Sequence, residues 1–396
     1  MSRAGAGIKR KRIPEIDFWR GFALIVILVD HVPRNGLDYL TPQNFGFSDA
    51  AEAFVFLSGV SVSLAYAPTL QKAGFGGLVK RCATRAAKLY VVQIAMVACN
   101  IAIPLAAAKV VGDEGLVLGQ GLSRFVNSPV SSLVDAATLF YQANYSDVLA
   151  LYVVLMLWAP VVIFLASRSP AWALLASIAV YVAGRGRAGG SFDGWYFNPF
   201  AWQLVFALGV ICALRWRSGL PRVRRPLVVL ALAVLLGAAI LCVAVGLKAT
   251  ALAYLDLDKY NLGLMRLAHF LALAYIISTI AIIQPWATTL SRIVGSPIGQ
   301  SFQGMGRNSL LFFALGSVAS TGGRSLMAAA KSLGAAHLFL HVIVLAYTAM
   351  AVVGMFLVVN RMNRTASLRS ISTDIRNPAV PMNPLRAEAG EGAAFP

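Results

Sequence analysis

The feature that most restricts this chain is a series of apolar runs, each close to the ~20 residues that carry a helix across a bilayer. Examples are 227–247 and 337–360. A soluble domain can bury one or two such stretches in its core, but not a whole series of them. The composition agrees: 58% of residues are hydrophobic and 13% charged, against about 25% charged in soluble domains. Apolar segments fall at 16–32, 50–67, 88–110, 147–167, 170–184, 199–214, 227–247, 267–283, 307–320 and 337–360. They predict an all-α, polytopic integral membrane protein with about ten transmembrane helices.

Residues 1–13 then form a basic arm and 14–361 the transmembrane domain. Residues 362–396, rich in Arg, Ser, Pro and Ala, form a disordered cytoplasmic tail. The first apolar segment holds Asp17, Arg20, Asp30 and His31 with no cleavage pattern after it, so it reads as a retained helix and not a signal peptide.

Charge sets the expected orientation. The formal net charge of +18 would suggest nucleic acid on a soluble chain. Here an excess of Lys and Arg in cytoplasmic loops explains it, which leaves membrane lipid and no nucleic acid as the partner. With both termini inside, the bulk of the 34 Lys and Arg fall on the inner side. Asp30, Asp38, Asp49, Glu52, Asp147, Asp256 and Asp258 fall at the outer side. The expectation is N-in, C-in. The 4 cysteines form no CxxC pair and imply no redox compartment.

Ionisable side chains at membrane depth are costly, so each is a functional candidate. Arg20 and His31 are eleven residues apart. That spacing places them about 20° apart on one helix face and separates them by a rise of roughly 16 Å. Asp17 and Arg20 can pair at the inner end. Anchoring at the interface by snorkelling is the plainer explanation for that pair. The sequence Ser48-Asp49-Ala-Ala-Glu52 opens the second helix in the manner of a capping box. Glu52 lies at the level of His31, so it either caps the helix or, with Asp30, orients the imidazole as a general base requires. Both readings of Glu52 stand. No HExxH, GxSxG or Walker pattern is present. His337 and His341 have metal-like spacing but no third ligand, and His269 reads as a hydrogen-bonded packing residue.

Several blocks together resemble the OpgC-type proteins: Asp17-Phe-Trp-Arg20-Gly21, Asp30-His31-Val-Pro33, and Asn44-Phe-Gly-Phe-Ser48-Asp49-Ala-Ala-Glu52 continuing to Ser58-Gly59. Weaker matches are Leu151-Tyr152, Phe197-Asn198-Pro199 with Trp202-Gln203, Lys259-Tyr-Asn261 with Arg266, and Gly306-Arg307-Asn308-Ser309-Leu310. The OpgC-type proteins are bacterial inner-membrane succinyltransferases of osmoregulated periplasmic glucans, related to the multi-pass acyltransferases of cell-surface sugars. The resemblance implies acyl transfer from cytoplasmic acyl-CoA, with succinyl-CoA the donor substrate and no permanently bound cofactor or metal. In that wider group an arginine and a histidine at this spacing mark the catalytic helix.

On that basis His31 is the expected general base, with Asp30 or Glu52 orienting it. Asp17 and Arg20, the basic face of Arg81, Arg85 and Lys88, and Arg307-Asn308 are candidates for holding the donor. Inner-side anchoring explains the basic face equally well. The stretch 295–306 reads as a loop, and the spacing of its glycines matches no phosphate loop. Asn144, Asp147, Asn198, Gln203, Lys259 and Arg266 are candidates for the acceptor or acyl group, and Arg266 or Arg20 could meet a succinyl carboxylate. A secondary transporter or flippase for an anion or glycan is the alternative that intramembrane charges alone leave open.

Overall fold

The computed structural model describes residues 13–185, 195–216, 222–243 and 255–376, and every regular element within them is a helix. In chain order these are α1 (Pro14–His31), α2 (Ala50–Val111), α3 (Gly115–Leu118), α4 (Ser123–Asn127), α5 (Pro129–Ala137), α6 (Asp147–Arg168) and α7 (Pro170–Arg185). They continue with α8 (Pro199–Trp216), α9 (Arg225–Val243), α10 (Leu264–Ile282), α11 (Trp286–Gly295), α12 (Pro297–Arg307), α13 (Ser309–Ser332) and α14 (His337–Arg376). Among the described residues, 7 helices are long and apolar enough to cross a membrane: α2, α6, α8, α9, α10, α13 and the part of α14 at His337–Thr365. Helix α7 is apolar but shorter. Helix α1 carries too many charges to read as lipid-facing, and it runs through the interior between α2, α12 and α13. Every helix must satisfy its backbone internally at membrane depth, which is why no other element appears there.

The α2 run is one helix only nominally. Gly74 (φ 66, ψ −171) breaks it in a conformation that glycine alone adopts readily. The chain then folds back: Arg81 Nη1 donates to Thr69 Oγ1 at 2.6 Å, and its guanidinium lies 4.6 Å from the Tyr66 ring. Twelve residues of straight helix would separate Arg81 and Thr69 by about 18 Å. The two limbs contain the expected segments 50–67 and 88–110.

Two expectations are corrected. The glycine-bearing stretch 295–306 is helical and not a loop. Ser296 caps α12 by accepting from the Gly299 amide at 3.1 Å, and Pro297 occupies the first turn. Its glycines serve close packing. A Cβ on Gly21 would fall 1.9 Å from the Phe302 carbonyl oxygen, and one on Gly306 would fall 1.9 Å from that of Asp17. Helices α1 and α12 therefore touch backbone to backbone, as small residues permit in membranes. The second correction concerns the tail: α14 continues past residue 362 to Arg376, and the first proline able to stop it is Pro378. The arm at 1–12, the end of the seventh apolar segment at 244–247 and the tail from 377 lie outside the described residues.

Candidate active site

Helix α1 meets α13 along small residues. A Cβ on Gly316 would approach Leu28, one on Gly323 would come within 2.9 Å of Val32, and Ser320 Oγ lies 3.5 Å from the Leu28 carbonyl. Arg20 and His31, on one face of α1, each line a cavity beside this contact.

At the Arg20 end a cavity of about 190 Å³ is lined by Arg20, Ser58, Tyr66, Arg85, Tyr152 and Ser309, among others. Arg20 donates from Nη2 to Ser309 Oγ, while its Nε and the Ser58 hydroxyl are shielded and have no hydrogen-bond partner. Unmet polar atoms lining one cavity cost free energy unless a polar ligand meets them. Arg85 joins Arg20 here, so two guanidinium groups face one space. The other donor candidates do not line it. Arg81 is spent on Thr69 and Tyr66, and Lys88 is exposed. Arg307 Nε donates to Gln303 in its own helix at 3.2 Å, and Asn308 Nδ2 donates to the Gly304 carbonyl at 2.9 Å.

At the other end, His31 lines a small cavity of about 20 Å³ with Tyr145, Asp147, Phe312, Ser317 and Ser320. Its Nδ1 lies 2.6 Å from the Ile27 carbonyl oxygen. A carbonyl can only accept, so Nδ1 carries the proton and Nε2 keeps a lone pair. The Tyr145 ring meets the imidazole edge-on, with centroids 4.2 Å apart. Tyr145 is held by a buried polar network: Ser317 Oγ donates to its carbonyl at 3.1 Å, Asn100 Nδ2 donates to Ser317 at 3.0 Å, and Thr321 donates to Asn100 Oδ1 at 3.0 Å. Asn144, one residue earlier, donates to the Asn100 carbonyl at 3.0 Å. Val148 and Phe313 line both cavities, so these two side chains form the wall between the Arg20 end and the His31 end.

The structure reassigns the carboxylates expected to orient His31. Glu52 is fully buried and accepts from Arg266 at 2.6 and 2.8 Å and from the Asp49 amide at 2.9 Å. With Ala51 donating to Asp49 Oδ1 at 2.8 Å, the capping box is complete. Asp30 accepts from Gln43 at 3.1 Å. Neither carboxylate hydrogen-bonds the imidazole; the acid that shares its cavity is Asp147.

Most of the acceptor candidates are structural. Lys259 Nζ sits 2.6 Å and Arg266 3.1 Å from Asp49 Oδ2, so both cations are spoken for. Burial pushes the Asp49 carboxyl up, but Lys259 and Arg266 outweigh it and hold the group below the usual carboxylate range. Arg266, already neutralised by two carboxylates, is not available for a succinyl group. Asn198 accepts from the Phe200 amide at 3.0 Å and donates to Asn261 at 2.9 Å, pinning the start of α8. Gln203 donates to the Ser177 carbonyl at 2.7 Å, tying α8 to α7. His269 Nδ1 accepts from the Ser48 amide at 3.3 Å and therefore also from the Ser48 hydroxyl at 2.7 Å, in packed surroundings, as expected.

Sequence reasoning missed Tyr145 and Arg324. Tyr145 lies between Asn144 and Asp147, both of them acceptor candidates, but carries no charge that marks it at membrane depth. Arg324 fell outside the ninth segment because that segment was ended at 320, whereas α13 runs to Ser332.

A bundle of helices long and apolar enough to cross a membrane, with a charged, partly unsatisfied cavity and a neighbouring cavity lined by an imidazole, is an integral membrane protein with a polar site. The OpgC protein family matches residues 12–362, and the chain belongs to that family. Membership implies an acyltransferase. No curated protein and no solved structure matches the chain.

Proposed function

We propose that the protein moves a succinyl group from cytoplasmic acyl-CoA to hydroxyls of a periplasmic glucan across a bacterial inner membrane. The observation that carries this reading is a shared wall: Val148 and Phe313 line both the Arg20 cavity and the His31 cavity, and displacing them would join the two into one corridor. Arg20 and Arg85 would hold phosphate oxygens of the donor, where charge-assisted bonds are strong. The pantetheine arm would then run along the ~16 Å between Arg20 and His31, displacing Phe313 and Val148 and bringing the thioester to the imidazole. His31 Nε2 takes the proton of an acceptor hydroxyl as its oxygen attacks the thioester carbonyl. Collapse of the tetrahedral intermediate breaks the C–S bond, and the imidazolium returns the proton to the leaving thiolate. The products are a glucan ester and free CoA, with no acyl-enzyme required. Asp147, which lines the same cavity as His31, would stabilise the imidazolium.

The reaction itself is the test. Purified protein given succinyl-CoA and glucan should yield succinylated glucan by mass spectrometry and one free thiol per ester. Passage of glucan or anion through the protein without thiol release would overturn the reading in favour of a transporter.

Ten spans follow if α1, both limbs of α2, and α7 cross with the other long helices, and both termini then lie in the cytoplasm. Reporter fusions near Arg222 should report cytoplasm and those near Gly190 periplasm; the reverse would invert every sidedness argument. For Arg20, the substitution Arg20→Lys keeps charge but loses the planar fork that suits phosphate. Weaker acyl-CoA binding is expected, with little change in acceptor KM. Unchanged CoA binding with a raised acceptor KM would refute a donor-side role.

A further inference from the structure

A dicarboxylic acyl donor poses a problem that the expected residues do not solve: its free carboxylate must be met near the reaction centre. Arg266 is occupied by Glu52 and Asp49, and Lys259 by Asp49. Arg20 lies at the far end of the corridor, where the donor enters. A thioester that travels along the corridor leads with its acyl end, so the distal carboxylate comes to rest beyond His31, on the side away from Arg20.

Arg324 stands there. Its neighbour Gly323 packs against Val32, the residue after His31. Its guanidinium lies 5.8 Å from the centre of the Tyr145 ring, whose other contact is the His31 imidazole at 4.2 Å. It is close enough to His31 for the two groups to interact electrostatically. It is half-buried, and no carboxylate lies within ion-pair distance of it among the described residues. Among the described residues, Arg185, Lys259 and Arg266 on this side of the bundle each have an acid, so Arg324 differs from them. A planar guanidinium with free donors is the group that takes a carboxylate two-pronged. Arg324 also hydrogen-bonds the Tyr145 side chain, which holds the guanidinium in place and leaves its remaining N–H donors for a carboxylate.

We infer that Arg324 binds the terminal carboxylate of the acyl group and so selects a dicarboxylic acyl donor over a neutral one. The inference rests on the acyl-transfer reading above. Arg324 would act on substrate binding, and His31 would perform the proton transfer with either donor.

The test compares succinyl-CoA with butyryl-CoA, four-carbon donors with and without the carboxylate, in glucan acylation by the full-length protein. Wild type is expected to prefer succinyl-CoA in kcat/KM. Arg324→Gln should lower kcat/KM for succinyl-CoA by about ten- to a hundredfold, in line with loss of a charged hydrogen bond, and leave butyryl transfer unchanged or improved. Arg324→Lys should restore part of the succinyl rate. Equal losses with both donors would mark a structural role and overturn the inference, as would no loss with either. A loss confined to glucans that carry anionic substituents, with either donor, would show that Arg324 serves the acceptor and would overturn it too. Wild-type protein that transfers neither acyl group would instead defeat the acyl-transfer reading itself, so the two failures are distinct.

Discussion

Replacing His31 by alanine is expected to remove acyl transfer almost entirely, by ~10²–10⁴-fold, the usual loss when a general base is deleted. The imidazole is suited to the role because its Nδ1 proton is committed to the Ile27 carbonyl, which leaves Nε2 free to accept. Folding should survive. His31 is half-buried at the last turn of α1, and α1 is held chiefly by its glycine contacts with α12 and its small-residue contacts with α13. Acyl-CoA binding should survive as well, because the donor cavity at Arg20 is lined by other residues. His31→Gln, which hydrogen-bonds but cannot take a proton at neutral pH, should be nearly as inactive. The check is glucan acylation beside a CoA-binding assay and a thermal melt on the same preparations. A folded His31→Ala protein that acylates near the wild-type rate would remove the imidazole from the mechanism.

Arg266→Leu is expected to destabilise the fold by about 3–5 kcal/mol, the cost of leaving a buried charge without its partner. Glu52 is fully buried, and both its hydrogen bonds from outside the capping box come from Arg266. Adding Glu52→Gln should recover most of that loss. Glutamine keeps an acceptor for the Asp49 amide, and the Lys259–Asp49 pair remains intact. Thermal or denaturant unfolding in detergent reads both effects. If the single variant melts like wild type, the cluster does not hold the start of α2 as described. By the same reasoning Glu52→Gln alone should alter stability more than the pH profile of transfer, the opposite of what a carboxylate bonded to His31 would give.

The contrast between His31 and Glu52 shows what a sequence makes legible. Arg20 and His31 sit on one helix, so the 3.6-residue period alone puts them on one face at a fixed rise. The Asp49–Glu52 cap is equally local, spanning three residues. The Glu52–Arg266 bond joins residues 214 apart, and no periodicity predicts which of several outer-side cations a buried acid will choose. Arg266 and Lys259 looked like acceptor ligands because each was considered without its acid. The corridor was invisible for a related reason: Val148 and Phe313 are ordinary apolar residues, and only the packing of α6 and α13 beside α1 makes them a partition between two cavities. Helix α12 was hidden by composition. Its glycines read as a loop in water, whereas against α1 they permit backbone contact.

The central claim is that donor and acceptor reach one histidine from opposite faces of the membrane. Reconstituted vesicles with glucan sealed inside and succinyl-CoA added outside test it directly, since neither substrate crosses a bilayer unaided. Succinylated glucan should accumulate in the lumen while free CoA appears outside, and vesicles with His31→Ala should form neither product. Ester formation only when both substrates are on the same side would contradict transfer through the Arg20–His31 corridor.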